Sequence, residues 1–384
     1  LLRIYHFKLA LLGAVIFGFP GYSKNLKIIG VTGTSGKSTT VDFITKIFNE
    51  AGERVASISS IRFKIADKEW ENKYKMTMPG RFVIQKFLWQ AKKAGCKYVI
   101  LEITSEGIRQ FRHKFINFDT AVFTNLTPEH IESHKGFENY RNEKLKLFTV
   151  SKNIHVINSD DKNSEYFLGM PAKKIIKFSI EDNKRYNLKL NVAGDFNLMN
   201  AIAATTVAEA YEIHLDIAQR AVEKAGTIPG RMEIVQKEPF EVVVDYAHTP
   251  EQLESVYKSF KDKKLICVLG SCGGGRDKWK RPVLGKIAGK YCKEVIITNE
   301  DPYEEDPLEI IEEVFKGVKN PTLSKNQYLI LDRKEAIKKA VGLAGTGDSV
   351  IITGKGSEPW MCVAGGKKIP WSDKEIAREA LQNK

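Results

Sequence analysis

Residues 30–40, GVTGTSGKSTT, hold the densest chemistry in the chain. Glycines let successive backbone N–H groups turn inward on a phosphate, and a helix starting beside them adds its positive end. Gly33, Thr34, Ser35 and Gly36 supply that turn; Lys37 reaches a terminal phosphate, Ser38 offers a hydroxyl to Mg2+, and Thr39 adds another hydroxyl. Counted from Gly30, the gap before Gly36 is one residue longer than the strict Walker spacing, but the physics is the same. Such a loop takes ATP without saying what the ATP is for. Three further residues stand where chemistry could use them. Glu102 closes the apolar run YVILE, and ligands of parallel sheets collect beyond the carboxyl ends of strands. His130 follows AVFTN and LTPE, and a neutral imidazole can hold a metal or a phosphate. Lys144, in YRNEKLKLF, reads on spacing alone as an ordinary solvated helix lysine.

The pattern around these residues is strand, glycine turn, helix. Residues 26–31 read as a strand and 39–50 as an amphipathic helix, with Val41, Ile44, Ile47 and Phe48 on one face. Strands follow at 98–103, 120–123 and 155–158, with a helix at 138–149. Residues 171–192 read as short sheet segments, and helices follow at 197–211 and 216–225. After Pro229-Gly230 the alternation restarts, with strands at 241–244, 264–269, 294–298, 328–330 and 349–352 and helices between them. The expected fold is α/β: a P-loop central domain with a mostly parallel sheet, plus a Rossmann-like C-terminal α/β domain. The expected divisions are an apolar N-terminal helix or tail at 1–25, an ATP-binding domain at 26–228 and a second domain at 229–384. Residues 9–19, LALLGAVIFGF, are too short for the ~20 residues of a bilayer span. They read as a helix docked on the protein, with contact to a membrane surface or the tail end of a truncated domain as the other readings, in an otherwise cytoplasmic protein.

Composition narrows the field. Of 384 residues, 42% are hydrophobic and 28% charged, which excludes a disordered chain and a disulfide-stapled miniprotein. The net charge of +13 suits anionic partners. The five cysteines form no Cys-x-x-Cys pair, which argues for a reducing compartment. No interleaving of aromatic and basic residues favours nucleic acid.

The chain resembles the Mur ligase family, ATP-dependent amide-forming synthetases of peptidoglycan assembly. The likeness is carried by GVTGTSGKSTT (30–40), LEITSEG (101–107), FTNLTPEHIESH (123–134), YRNEKLKLF (140–148), VAGDFNLMNAIAA (192–204), PGRMEIV (229–235), VDYAHTPEQLE (244–254) and GSCGGGRDKWKRPVLG (270–285), in family order. It is greatest to the branch that adds the third peptide residue to a UDP-MurNAc peptide. The resemblance implies an EC 6.3.2-type ligase acting through an acyl phosphate, with cell-wall roles. It implies two Mg2+ ions served by Ser38, Glu102, His130 and a carbamylated Lys144. It places Asn197 and Asn200 near adenine, and Arg231, Asp245, Tyr246 and His248 at the nucleotide from the second domain. Lys37, His130, Lys144 and Arg276 take the catalytic roles. Arg276, Asp277, Lys278 and Arg281 form a loop facing acidic substrates, and Asp301, Tyr303, Glu305, Gly354 and Glu358 border the incoming amino acid.

The chain departs from that pattern in several places. The family's N-terminal UDP-binding domain has no counterpart in this sequence. The chain is then a truncated one, another polypeptide supplies the handle, or the acceptor carries no UDP. The family's Asp-Asn-Pro-Arg appears as Glu300-Asp301-Pro302-Tyr303, so the arginine that would grip a distal carboxylate is a phenol. With Glu304 and Glu305 beside it, this loop suits an ammonium, and a cationic or diamino acid becomes the expected substrate. Gly-Lys-Gly-His-Glu appears as Gly354-Lys355-Gly356-Ser357-Glu358, and Glu106 stands where the family has a histidine. Two other readings stay open: a relative acting on a non-UDP acceptor, of cyanophycin or folylpolyglutamate type, and an ATP-binding subunit that needs a partner.

Overall fold

The computed structural model describes residues 2–74, 76–192, 194–318 and 326–384. The chain divides into two compact units. The first comprises Leu1–Pro128, Lys135–Asn191 and Asp195–Gly226; the second comprises Glu129–His134, Val192–Gly194 and Thr227–Lys384.

The first unit is built on an eight-stranded sheet. Its strands are β1 (Lys27–Thr32), β2 (Val55–Ile58), β3 (Arg62–Ile65), β4 (Lys68–Glu71), β5 (Tyr98–Glu102), β6 (Phe118–Phe123), β7 (Ile154–Asn158) and β8 (Lys174–Phe178). Their order is β4-β3-β2-β5-β1-β6-β7-β8. From β2 to β8 the pairing is parallel, and β3 and β4 add an antiparallel edge. Successive strand residues point to opposite faces. Hence Ile28, Val99, Leu101, Ala121 and Phe123 enter one core, while Ile29, Val31, Ile100 and Val122 enter the other. The second core is closed by the helices Lys37–Glu50 and Asp195–Ala210.

The second unit carries a six-stranded sheet in the order β13-β12-β11-β14-β10-β9. These strands are β9 (Glu233–Gln236), β10 (Glu241–Asp245), β11 (Leu265–Leu269), β12 (Glu294–Ile297), β13 (Asn326–Leu329) and β14 (Ser349–Thr353). All pairs are parallel except β9 with β10. A hairpin of β15 (Trp360–Val363) and β16 (Lys367–Pro370) follows. The α/β class and mostly parallel sheets expected from the pattern are present. Residues 171–192 differ: they hold one strand, β8, then a 3-10 turn and the short helix Asn183–Tyr186. The Asn183 side chain accepts from the Leu188 amide at 2.8 Å and closes that helix.

The apolar N-terminal stretch forms the helix Leu2–Ile16. It packs on the helix Arg81–Lys93 with Gly13 facing Phe82; a Cβ there would sit 3.5 Å from the Phe82 Cα, an ordinary contact. Phe7 meets the rings of Phe111 and Phe115, and Phe17 meets Trp89. The expectation of membrane association through residues 9–19 is corrected. No helix among the described residues is long and apolar enough to cross a membrane. Fifteen residues rise about 22 Å, short of the ~30 Å hydrocarbon layer.

One buried ion pair ties the last helix, Asp373–Gln382, to the second unit. Arg333 and Asp373 are both fully buried, and the guanidinium donates to both carboxylate oxygens at 2.7 and 2.8 Å. Arg333 also donates to the Thr353 carbonyl at 2.8 Å, and the Trp371 indole donates to Asp373 at 2.8 Å. Removing one partner leaves an uncompensated buried charge. Asp373→Ala is therefore expected to destabilise the second unit by about 3–5 kcal/mol, read as a lowered urea midpoint in tryptophan fluorescence.

Candidate functional site

The carboxyl ends of β1, β5 and β6 bring the first unit's polar residues to one edge of the sheet. After β1 the chain turns through Gly33–Gly36 into the helix that opens at Lys37. Gly36 has φ +77°, and a Cβ on it would overlap the Asn200 Oδ1, so glycine is required there. The loop is held from below by the residues after β6. Asn125 Oδ1 accepts from the Ser35 amide at 2.9 Å, and Thr124 Oγ1 donates to the Ser35 carbonyl at 2.7 Å. Thr34 Oγ1 lies 3.1 Å from the Tyr140 hydroxyl.

Two amines converge on this loop. Lys37 Nζ donates to the carbonyls of Gly33 and Thr34 at 3.1 and 2.9 Å. Lys144 Nζ donates to the same Gly33 oxygen at 2.7 Å. Lys144 is 1% exposed, on the helix Phe137–Val150. Burial, reinforced by the Lys37 charge, pushes its pKa well below the ordinary lysine value, against the pull of Glu102. Solvation of the helix lysine, the default on spacing alone, does not occur. Ser38 Oγ donates to Glu102 Oε2 at 2.7 Å, and the Ser60 amide reaches the same oxygen at 2.8 Å. Thr39 is buried in the first turn of the loop's helix. Asn197 and Asn200 are buried in the helix Asp195–Ala210, and Asn200 also accepts from Thr40 Oγ1 at 3.3 Å. Among the described residues, no group of three or more His, Cys, Asp or Glu comes together as a metal cluster. A hydroxyl beside a carboxylate is nonetheless the hard oxygen pair that Mg2+ takes, and Ser38 and Glu102 supply it.

The remaining candidates lie in the second unit. His130 has φ +57° and leads into the short helix Ile131–His134. Asp277 caps that helix, accepting from the Ile131 and Glu132 amides at 3.1 and 3.0 Å. Glu129 and Lys280 form a buried pair at 3.0 Å, and desolvation still raises the Glu129 pKa. Arg231 stacks on the Tyr246 ring, 4.2 Å from its centroid. Asp245 is buried and accepts from the Met232 and Ala247 amides, both at 2.7 Å. His248 Nδ1 lies 2.9 Å from the Tyr246 carbonyl. A carbonyl only accepts, so Nδ1 carries the hydrogen and Nε2 keeps its lone pair. Burial and the Lys280 charge hold this ring neutral, its pKa well below the usual value.

Residues 300–305 and 354–358 are brought together around Lys355, which the sequence reading did not single out. Fully buried, it donates to both Asp301 oxygens at 2.9 Å and to Glu358 at 2.6 Å. Glu358 also accepts from the Tyr246 hydroxyl at 3.0 Å. Glu300 Oε1 accepts from the Cys272 thiol at 2.7 Å, Oε2 has no partner, and burial raises the pKa of this carboxyl. Gly354 passes against Glu300 so closely that a Cβ would overlap Oε2. Tyr303 has φ +53° and lies against Gly274. Arg276 is exposed in the 270–281 loop. Arg281, expected in that loop's substrate face, is instead 1% exposed and held by Glu305 at 2.9 Å and Glu313 at 2.8 Å. Lys278 also pairs with Glu305, at 3.2 Å. Glu304 accepts from the Gly365 amide at 2.9 Å. The glutamates following Tyr303 are thus engaged by the protein itself.

Comparison with known proteins finds two family matches, one in each half of the chain. The Mur ligase middle domain matches residues 31–188, and the Mur ligase glutamate ligase domain matches 230–356. A UDP-N-acetylmuramoyl-L-alanyl-D-glutamate–2,6-diaminopimelate ligase of Syntrophomonas wolfei is 35% identical over 98% of this chain and 82% of its own length. A UDP-N-acetylmuramyl-tripeptide synthetase of Roseiflexus is 35% identical over 97% of this chain and 81% of its own. A solved UDP-N-acetylmuramoyl-L-alanyl-D-glutamate–2,6-diaminopimelate ligase superposes with a TM-score of 0.62 at 30% identity, covering 94% of this chain and 79% of that one.

The depressed Lys144 pKa has a sign that can be checked. Between its folded value and the ordinary ~10.4, the unfolded chain binds the extra proton, so rising pH stabilises the native state. Lys144→Met, of similar length and uncharged, is expected to be more stable than the parent near neutrality. That advantage should shrink as pH rises toward 10, measured as urea midpoints across the range.

Proposed function

This chain belongs to the Mur ligase family, and we propose on that premise that it adds the third residue of a UDP-MurNAc peptide. It is an ATP- and Mg2+-dependent amide-bond ligase. The observation that carries the reading is the meeting of Lys37 and Lys144 on the Gly33 carbonyl, with Ser38, in the helix that follows the loop, bonded to Glu102 at the end of β5.

Lys37 and the N-terminal end of the helix Lys37–Glu50 would bind the triphosphate and neutralise charge on its terminal phosphoryl, while the Thr34 and Ser35 amides are held by Asn125. The acceptor carboxylate attacks that phosphorus; the bond to the ADP oxygen breaks and an acyl phosphate forms. The amino acid's free amine then attacks the acyl carbon, loses a proton, and expels inorganic phosphate. Ser38 and Glu102 would hold Mg2+, with His130 as a candidate for a second ion; bound there, the metal offsets the negative charge of the phosphates. Arg231, Tyr246 and the neutral His248 would border the nucleotide. Asn197 and Asn200 would lie at the base. Arg276 and Glu358 would meet the acid and amine of the substrates.

Lys144 is suited to carbamylation. A desolvated amine keeps its lone pair, which can form an N–C bond to carbon dioxide with loss of one proton. The product is an anion with two hard oxygen donors, of the kind Mg2+ takes.

The added amino acid is a cationic one. A distal carboxylate would meet the Tyr303 phenol, with the Asp301 charge nearby, where the family has a cation; a lone distal ammonium meets no such repulsion.

Phosphate release with ATP, Mg2+, an amino acid and the muramoyl dipeptide, with and without its UDP, tests the ligase reading. Lys37→Ala should lower turnover about a hundred- to a thousand-fold, and unchanged release would overturn the loop's role. Lysine should outcompete meso-diaminopimelate in the same assay; equal or better use of diaminopimelate would sink the cationic assignment. With 13C-bicarbonate, the parent should show a carbamate carbonyl resonance that Lys144→Met lacks.

A further inference from the structure

The first unit contains a cavity of about 350 Å³ that none of this chemistry uses. Four cations from separate elements line it: Arg3 on the N-terminal helix, Arg109 ending the helix Ser105–Arg109, Lys114 in the next turn, and Lys146 on the helix Phe137–Val150. Glu143 is the one acid among the lining residues. It accepts from Lys146 through Oε1, while its buried Oε2 has no partner. Arg109 also pairs outside the cavity with Glu106 at 3.3 Å, where both side chains are almost half exposed.

Like charges from three directions repel one another and gather only where other packing holds them or an anion offsets them. The wall has a second mark of a polar occupant. His113 is 3% exposed, and its Nδ1 has no hydrogen-bond partner. Burial, then the charges of Lys114 and Lys146, pushes its pKa down to about 3, so the ring adds no charge. The rest of the wall is Ile108, Phe111 and Val150, which are apolar, with the Thr149 hydroxyl among them. Arg3 lies over the ring of Phe111, a residue of the same wall, 5.7 Å from its centroid.

We propose that this cavity binds a small organic phosphate. The phosphoryl group sits among Arg109, Lys114 and Lys146, and the organic part rests on the apolar wall. A dianion with three acceptor oxygens answers several cations converging from different elements better than a single carboxylate does. The volume is that of a pocket for a sugar phosphate or a mononucleotide rather than for a bare ion. The site is separate from the ATP loop, but the two share a helix: Lys144 of Phe137–Val150 reaches Gly33, while Glu143 and Lys146 line the cavity.

Glucose 6-phosphate is the probe, titrated calorimetrically into the full chain with the ATP loop filled by a non-hydrolysable ATP analogue and Mg2+. Saturable one-to-one binding is expected, with none for glucose. Arg109→Ala and Lys114→Ala should each weaken it about tenfold, while the Lys37→Ala protein binds the probe as the parent does. Binding of inorganic phosphate as tight as that of the ester would assign the site to a free anion and overturn the organic-phosphate assignment. No saturable binding, or binding that neither substitution at 109 or 114 weakens, would overturn the site itself.

Discussion

Two lysine amines share one carbonyl oxygen in the first unit, and much of the loop's chemistry follows from that crowding. Lys37 and Lys144 both donate to the Gly33 oxygen, and Lys144 does so out of contact with water. Two ammonium groups so close, one of them desolvated, are unfavourable. Losing the Lys144 proton relieves that strain, so the fold biases this primary amine toward its uncharged form beside a phosphate cradle. Glu102, fixed by Ser38 and the Ser60 amide, provides the compensating negative charge on the other side.

The parts of this arrangement differ in how far they could be read from sequence. The ATP loop was legible because its residues are contiguous and its glycines have no bland role. Glu102 was legible because a carboxylate ending an apolar run must emerge at the sheet edge. Lys144 was different. Its helix has polar residues on most sides, and only the packing of that helix against the loop decides that this lysine is the one turned inward. The antiparallel edge β3–β4 was not expected, since RFKI and KEWE alternate polar and apolar residues as loops also do. Residues 9–19 were open to three readings because an apolar run does not say what it packs against. Gly13, opposite Phe82, answered the question in space.

In the second unit, charge pattern misled where pairing decides. Residues 303–306 look like an acidic loop awaiting an ammonium, but Glu305 holds Arg281 and Lys278, and Glu304 is spent on a backbone amide. The side chain at the centre of the cluster is Lys355, a residue the motif 354–358 contains and whose partners no spacing rule reveals. Carboxylates held by internal cations position a loop. A carboxylate left with an unanswered oxygen, as Glu300 is, can still recognise something. Telling the two apart requires the partners.

The Arg333–Asp373 pair has a consequence for how the protein is made. Arg333 lies in the interior of the second unit, and its countercharge arrives forty residues later, in the final helix. Until Asp373 has itself left the ribosomal exit tunnel, the emerged nascent chain has a core arginine with no counter-ion, and the second unit closes stably only once that carboxylate is out. The first, whose residues end at Gly226, has its whole sequence outside the tunnel well before then.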